Sequence, residues 1–178
     1  VEFMRSDIAM WKEIRSPIHR DELFRMYSGI SLMPGARELV SRLQDHGVYV
    51  AIVSAGVDIF VSSIAALLKV DDWIANGFEF DEDDYLTDNG ICRLHAVGKG
   101  DVIERLIDMH GFDPQTVLSV GDSEMDLSMM IPGSRFIGFN PSRESSIKAF
   151  EESNVPIIYE KDLMKILEHI ELPSSEGN

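Results

Sequence analysis

Val48-Tyr49-Val50-Ala51-Ile52-Val53, followed at once by Ser54-Ala55-Gly56, decides the fold class. Six apolar residues rich in β-branched side chains, with no polar alternation, are the pattern of a parallel strand covered on both faces. Just upstream, Pro34-Gly35 opens a helix through about Gln44 with Leu39, Val40 and Leu43 on its buried side, and Gly47 stops it. Downstream, residues 58–69 form the next helix, Trp73-Ile74-Ala75 reads as a short strand, and Phe78–Leu86 as a hairpin turning through the solvated stretch Asp81-Glu82-Asp83-Asp84. After Gly98-Lys99-Gly100, Val102, Ile103, Leu106 and Ile107 alternate with charges as in an amphipathic helix over 101–110, with Gly111 placed to cap it. Thr116–Val120 is a second apolar strand, a helix follows Gly121-Asp122, Arg135–Gly138 makes a further strand, and helices follow near 142–152 and 161–170. Strands alternating with helices predict a three-layer α/β fold around a Rossmann-like parallel sheet.

The beginning of the chain reads differently. Phe3, Met4, Ile8, Trp11 and Ile14 fall near helical spacing over 2–15, Pro17 interrupts the pattern, and 20–28 reads as a second short helix ending near Gly29. These two helices are expected to be the remnant of a small helical cap. The expected organisation is therefore cap helices over 1–29, a core domain over 30–172 and a polar tail over 173–178. With no internal repeat, linker or low-complexity block, a second independent domain is not expected.

At 178 residues, 44% hydrophobic and 26% charged, the chain can bury a real core. No run of about 18 apolar residues is present, and the first residues lack the order of a signal peptide, so no membrane association and a cytoplasmic location are expected. The single cysteine, Cys92, excludes an intrachain disulfide and a cysteine metal cluster, and reads as an idle thiol. A formal charge of −15 repels nucleic acid and anionic membranes, so an anionic ligand would need local positive charge from a lysine or a metal.

In doubly wound sheets ligands sit beyond the carboxyl ends of the strands, and three positions there carry candidate chemistry. Ser54, with the N–H groups of Ala55 and Gly56, could hold a phosphate oxygen ahead of a helix, or could be an ordinary cap. Gly121-Asp122-Ser123-Glu124-Met125-Asp126 sets two carboxylates four residues apart, facing one side of a helix start. They suit Mg²⁺, which takes one or two carboxylates with waters and phosphate, although an aspartate there can also simply cap. Lys99, between two glycines and ahead of a helix, could neutralise phosphate charge or be a solvated surface group.

Taken together and in this order, the strand ending in Ser54, then Lys99, then Gly121-Asp122 with Asp126 resemble the second, third and fourth motifs of the haloacid-dehalogenase superfamily. Val53-Ser54-Ala55-Gly56-Val57-Asp58, the stretch from Ala75-Asn76-Gly77-Phe78-Glu79-Phe80 to Tyr85-Leu86-Thr87, and Gly98-Lys99-Gly100 resemble the phosphoserine phosphatase branch. The resemblance covers about residues 30–170. It implies hydrolysis of a small phosphorylated metabolite, a phosphomonoester, through an aspartyl-phosphate with Mg²⁺ as cofactor. Ser54, Ala55 and Gly56 would bind phosphate, Lys99 and Asp126 would be catalytic, Asp122 would ligate the metal, and Asp126 would serve the metal through its waters or support Lys99.

Two departures qualify the resemblance. The family's first motif, two aspartates flanking one residue at the end of the central strand, has no counterpart here; Asp7 lies in a helical pattern and Ala9 stands two residues on. The nucleophile is thus not among these residues, and a sheet without its central strand leaves two apolar edges unpaired. A segment of roughly 40–50 residues ahead of Val1 is expected, whether omitted, cleaved and still associated, or replaced by exchange with a second copy in a dimer. The place where phosphoserine phosphatases usually carry Asn, just before the last aspartate, is Met125, so phosphoserine specificity does not follow. Arg5, Arg15 and Arg20 are possible substrate contacts or surface charges. Two rival readings remain: a response-regulator-like Mg²⁺-binding module, and a phosphotransferase or catalytically inactive scaffold of the same family.

Overall fold

The computed structural model describes residues 2–27 and 29–173, with Glu2 and Phe3 lacking a description of their side chains. The expected burial of Phe3, the end of the second helix at Ser28 and most of the polar tail lie outside the described residues. The described chain forms two compact units: the residues up to Leu32 together with Val50–Leu94, and Met33–Tyr49 together with the residues from His95 on.

In the first unit, α1 (Glu2–Ile14) and α2 (Arg20–Tyr27) precede β1 (Ala51–Val57), α4 (Asp58–Leu68), β2 (Asp72–Phe80) and β3 (Leu86–Ile91); α3 (Ala36–Asp45) belongs to the second unit. β1 pairs parallel with β2, and β2 antiparallel with β3. Helical spacing in α1 turns Met4 and Ile8, 3% and 1% exposed, onto Leu23, Phe78 and Leu86, while Trp11 meets the Phe78 ring edge-on at 5.4 Å. Ile14, expected on the same stripe, is 86% exposed, because the helix ends there before another turn can carry it inward. Full burial of each such side chain is worth about 1.5–3 kcal/mol.

Three expectations for this unit need correction. Val48-Tyr49-Val50 lies ahead of the strand, which begins at Ala51 and runs through Ser54-Ala55-Gly56 to Val57. Its residues are only partly buried, because β1 pairs with β2 alone among the described residues. The short strand and the first arm of the hairpin are one nine-residue strand, β2, whose first half pairs with β1 and whose second half pairs with β3, while the hairpin itself turns at 81–85 as expected. In the acidic turn, Asp81 Oδ1 accepts the N–H groups of Asp83 and Tyr85 at 3.0 and 2.8 Å, and Arg20 pairs with Asp84 at 3.2 Å.

Besides α3, the second unit holds α5 (Lys99–His110), β4 (Leu118–Gly121), β5 (Arg135–Phe139), α6 (Glu144–Glu152) and β6 (Ile157–Ile158). β4, β5 and β6 run parallel in that order. Leu39, Ile137, Phe139, Ile158 and Ile166 form its core. Gly111 ends α5 in the left-handed conformation at φ 69°, with its N–H on Ile107 O. The segments after β4 and near 163–169 are 3-10 helices, not α-helices.

The α/β class with parallel pairing is as expected, but the parallel strands fall in two three-stranded sheets. β1 and β4 are each an edge strand among the described residues. Asp7 lies on α1 and is exposed. Among the described residues no helix is long and apolar enough to cross a membrane.

Candidate active site

At the carboxyl end of β4, the backbone enters a tight loop at Gly121-Asp122-Ser123 and then the 3-10 helix Glu124–Met129. Glycine is required at 121 by close approach: a Cβ there would overlap Cβ and Cγ of Asp126. That approach puts Asp126 Oδ2 3.1 Å from the N–H groups of Asp122 and Ser123 and 3.1 Å from the Ser123 hydroxyl. Its other oxygen, Oδ1, lies 2.5 Å from Lys99 Nζ. Lys99 opens α5, and Gly100 lets that helix start approach the 3-10 helix, because a Cβ at 100 would run into the Ser128 carbonyl oxygen.

The Lys99 and Asp126 side chains are 12% and 7% exposed, so the ion pair is largely removed from water. Burial alone would raise the Asp126 pKa, and it is the largest single influence. The Lys99 hydrogen bond and charge, with the Ser123 N–H and hydroxyl, together outweigh it and hold the carboxyl below its ordinary value. Glu124, the first residue of the 3-10 helix, accepts the hydroxyls of Ser146 and Ser145 on α6, and the Ser146 bond foremost holds its pKa below the usual range. That contact anchors the motif to α6. Sequence spacing could not reveal it.

Asp122 differs from Asp126. It is exposed, and its carboxylate has no partner among the described residues. One free carboxylate fits a share in a hydrated Mg²⁺, which needs only one or two beside waters and phosphate. Among the described residues no three His, Cys, Asp or Glu side chains converge, so the donor set is not that of a zinc site. Asp126, with four donors on its two oxygens, has little capacity left for a metal. Met125 is 39% exposed.

Ser54, Ala55 and Gly56 lie in the other unit, inside β1. Ser54 pairs with Ala75 and Val57 with Asn76, so Ala55 and Gly56 bulge out with no partner in β2. The Gly56 N–H donates to Ser54 Oγ at 3.1 Å and is not free for a ligand in this arrangement. Asn76 donates to Ala55 O at the bulge and accepts the Arg93 N–H, and the sequence reading gave neither residue a role. The three cap arginines each have a partner within their own unit: Arg5 on Asn89 Oδ1, Arg15 on Glu22 and Arg20 on Asp84. Cys92 is half-buried, its thiol 3.6 Å from Leu94 O.

Comparison with known proteins bears on this arrangement. A family model described as haloacid dehalogenase-like hydrolase matches residues 1–130. The chain is 28% identical over 168 residues to a phosphoserine phosphatase of Methanocaldococcus jannaschii, covering 94% of this chain and 75% of that protein. It is 34% identical over 119 residues to a phosphoserine phosphatase of Archaeoglobus fulgidus, covering 66% of this chain but 34% of that protein. The match to human phosphoserine phosphatase, at 33% identity, spans 49% of its length. Among solved structures, a phospho-aspartyl intermediate analogue of phosphoserine phosphatase superposes with a TM-score of 0.76 at 26% identity, over 87% of this chain and 72% of that one. An apo phosphoserine phosphatase gives 0.77 at 26% identity, over 87% and 75%. The extent of the family match and the agreement in fold establish that this chain belongs to the haloacid dehalogenase-like hydrolases.

Proposed function

We propose that the protein is a Mg²⁺-dependent phosphatase that hydrolyses a small phosphomonoester through an aspartyl-phosphate. The observation that carries the reading is the shielded Lys99–Asp126 pair at the start of α5, beside the unpaired carboxylate of Asp122. Its similarity to phosphoserine phosphatases supports the same substrate class, a small phosphorylated metabolite.

Asp122 would hold the metal, which when bound would neutralise phosphate charge and orient the phosphoryl group. Asp126 keeps Lys99 at a fixed position, so the ammonium is pre-organised to meet negative charge that builds up as phosphorus is attacked. Asp126 itself is proposed as a positioning residue, with the metal reached at most through a water, since its lone pairs are largely taken by N–H and O–H donors. Ser54 donates its hydroxyl to a phosphate oxygen. The attacking carboxylate and the acid/base partner are not assigned to any residue of this chain.

The test is Mg²⁺-dependent release of phosphate from phosphoserine and from an aryl phosphate, using the protein as its cell makes it. The expected result is turnover that a chelator abolishes and added Mg²⁺ restores. Mg²⁺ binding without turnover of either substrate would favour the scaffold reading.

A further inference from the structure

We propose that Asn76 is a positioning residue for the phosphate-binding segment: it orients the Ala55–Gly56 peptide so that Ser54 presents its hydroxyl as a hydrogen-bond donor. The inference deepens the role given to Ser54 above and rests on it.

Asn76 sits in the middle of β2 and is 0% exposed. A buried amide is costly unless hydrogen-bonded, so its contacts indicate what it is there to hold. Nδ2 donates to Ala55 O at 3.0 Å, while Oδ1 accepts the N–H groups of Arg93 and Leu94 at 2.8 and 3.0 Å. One side chain therefore joins the bulge of β1 to the segment that follows β3. The bulge explains the need. With Ala55 and Gly56 opposite no residue of β2, the Ala55 carbonyl loses its ladder partner, and the Asn76 amide supplies a donor in its place.

Peptide geometry carries the effect onward. In a trans peptide the C=O and the following N–H point to opposite sides. Fixing Ala55 O on Asn76 therefore turns the Gly56 N–H away from β2, and it reaches Ser54 Oγ at 3.1 Å. A hydroxyl has one proton to give and two lone pairs to receive with. Once a lone pair is taken by Gly56, the proton points elsewhere, and among the described residues the Ser54 hydroxyl has no acceptor. Arg93 steadies the same region, donating from Nη1 to Ala75 O at 2.9 Å and to Asp58 Oδ2 at 2.8 Å at the start of α4.

Asn76→Asp tests this, because it keeps an oxygen for the Arg93 and Leu94 N–H groups but removes the donor to Ala55 O. The measurements are kcat and KM for a phosphomonoester, and the inhibition constant of inorganic phosphate with Mg²⁺, for wild type, Ser54→Ala, Asn76→Asp and the double variant. We expect Asn76→Asp to weaken phosphate about tenfold, as loss of one hydrogen bond to a charged group would, with kcat changed less than KM. The double variant should bind phosphate no worse than Ser54→Ala alone. A folded Asn76→Asp with wild-type phosphate inhibition, or effects that multiply in the double variant, would overturn the inference while leaving the role of Ser54 intact. Unchanged inhibition in Ser54→Ala would instead overturn the role of Ser54, and this inference with it. Should Asn76→Asp fail to fold, Asn76→Ser, too short to reach Ala55 O, takes its place with the same expectations.

Discussion

Lys99 Nζ and Asp126 Oδ1 meet at 2.5 Å, one from the first residue of α5 and the other from the 3-10 helix after β4, 27 residues apart in sequence. The pair is shielded on both sides, and two glycines, Gly100 and Gly121, make room for it. A shielded ion pair contributes little net stability when intact, but breaking it is expensive because the surviving charge has no partner.

Asp126→Asn is therefore expected to destabilise the fold by about 3–5 kcal/mol, read by chemical or thermal unfolding. The pH dependence has a definite sign. Asp126 has a folded pKa below its unfolded value, so the stability it adds is fully present above the unfolded value of about 4 and is lost as pH falls through the folded one. Wild type should lose stability on acidification over that range, and the Asp126→Asn variant should show a shallower acid limb. Equal slopes in the two proteins would remove Asp126 as a contributor.

Asp122→Asn should behave in the opposite way. The side chain is exposed and has no partner among the described residues, so unfolding should shift by no more than about 0.5 kcal/mol, the usual range for such a surface site. Metal-dependent activity should fall steeply and not recover at high Mg²⁺. Wild-type turnover in this variant would refute the metal role, whereas a large stability loss would show that Asp122 is structural.

The sequence showed the class of fold because hydrophobic runs and helical spacing are local properties. It showed less where long-range pairing decides. Asn76 and Gly77 read as a break between a strand and a hairpin, since both residue types disfavour strands. In the folded chain the Asn76 amide replaces a ladder bond, and at Gly77 any Cβ would strike the Asp58 and Arg93 side chains. The bulge at Ala55-Gly56 depends on register with β2, which one strand's sequence cannot display. β6, only Ile157–Ile158, is too short to leave a periodic signal. Of the candidate residues, Lys99 and Asp126 lie within an ion-pair distance of one another, a long-range contact that the reading of either residue singly, as a surface lysine or a cap, could not display.

Lys99→Met tests the charge separately from the volume. A thioether of similar length fills the space, but Asp126 keeps its Asp122 and Ser123 donors without the ammonium. Losing one pre-organised charge stabiliser costs about 10²–10³ in kcat, and that loss is expected here in single-turnover and steady-state rates alike. A loss confined to KM would mean that Lys99 binds substrate without favouring its transition state.

Gly121→Ala is the most economical probe of how the backbone sets this pair. The added methyl group would occupy the space of Asp126 Cβ and Cγ, so the carboxylate must move relative to its three donors and to Lys99. Overpacking of this kind typically costs about 1–3 kcal/mol, and the variant should lose that much stability. Activity should fall by more than the stability loss can explain at temperatures where the variant is still fully folded, because the position of Lys99 depends on Asp126. A stable, fully active Gly121→Ala would show that the loop can relax without disturbing the pair, and would remove close approach as the reason for glycine at this position.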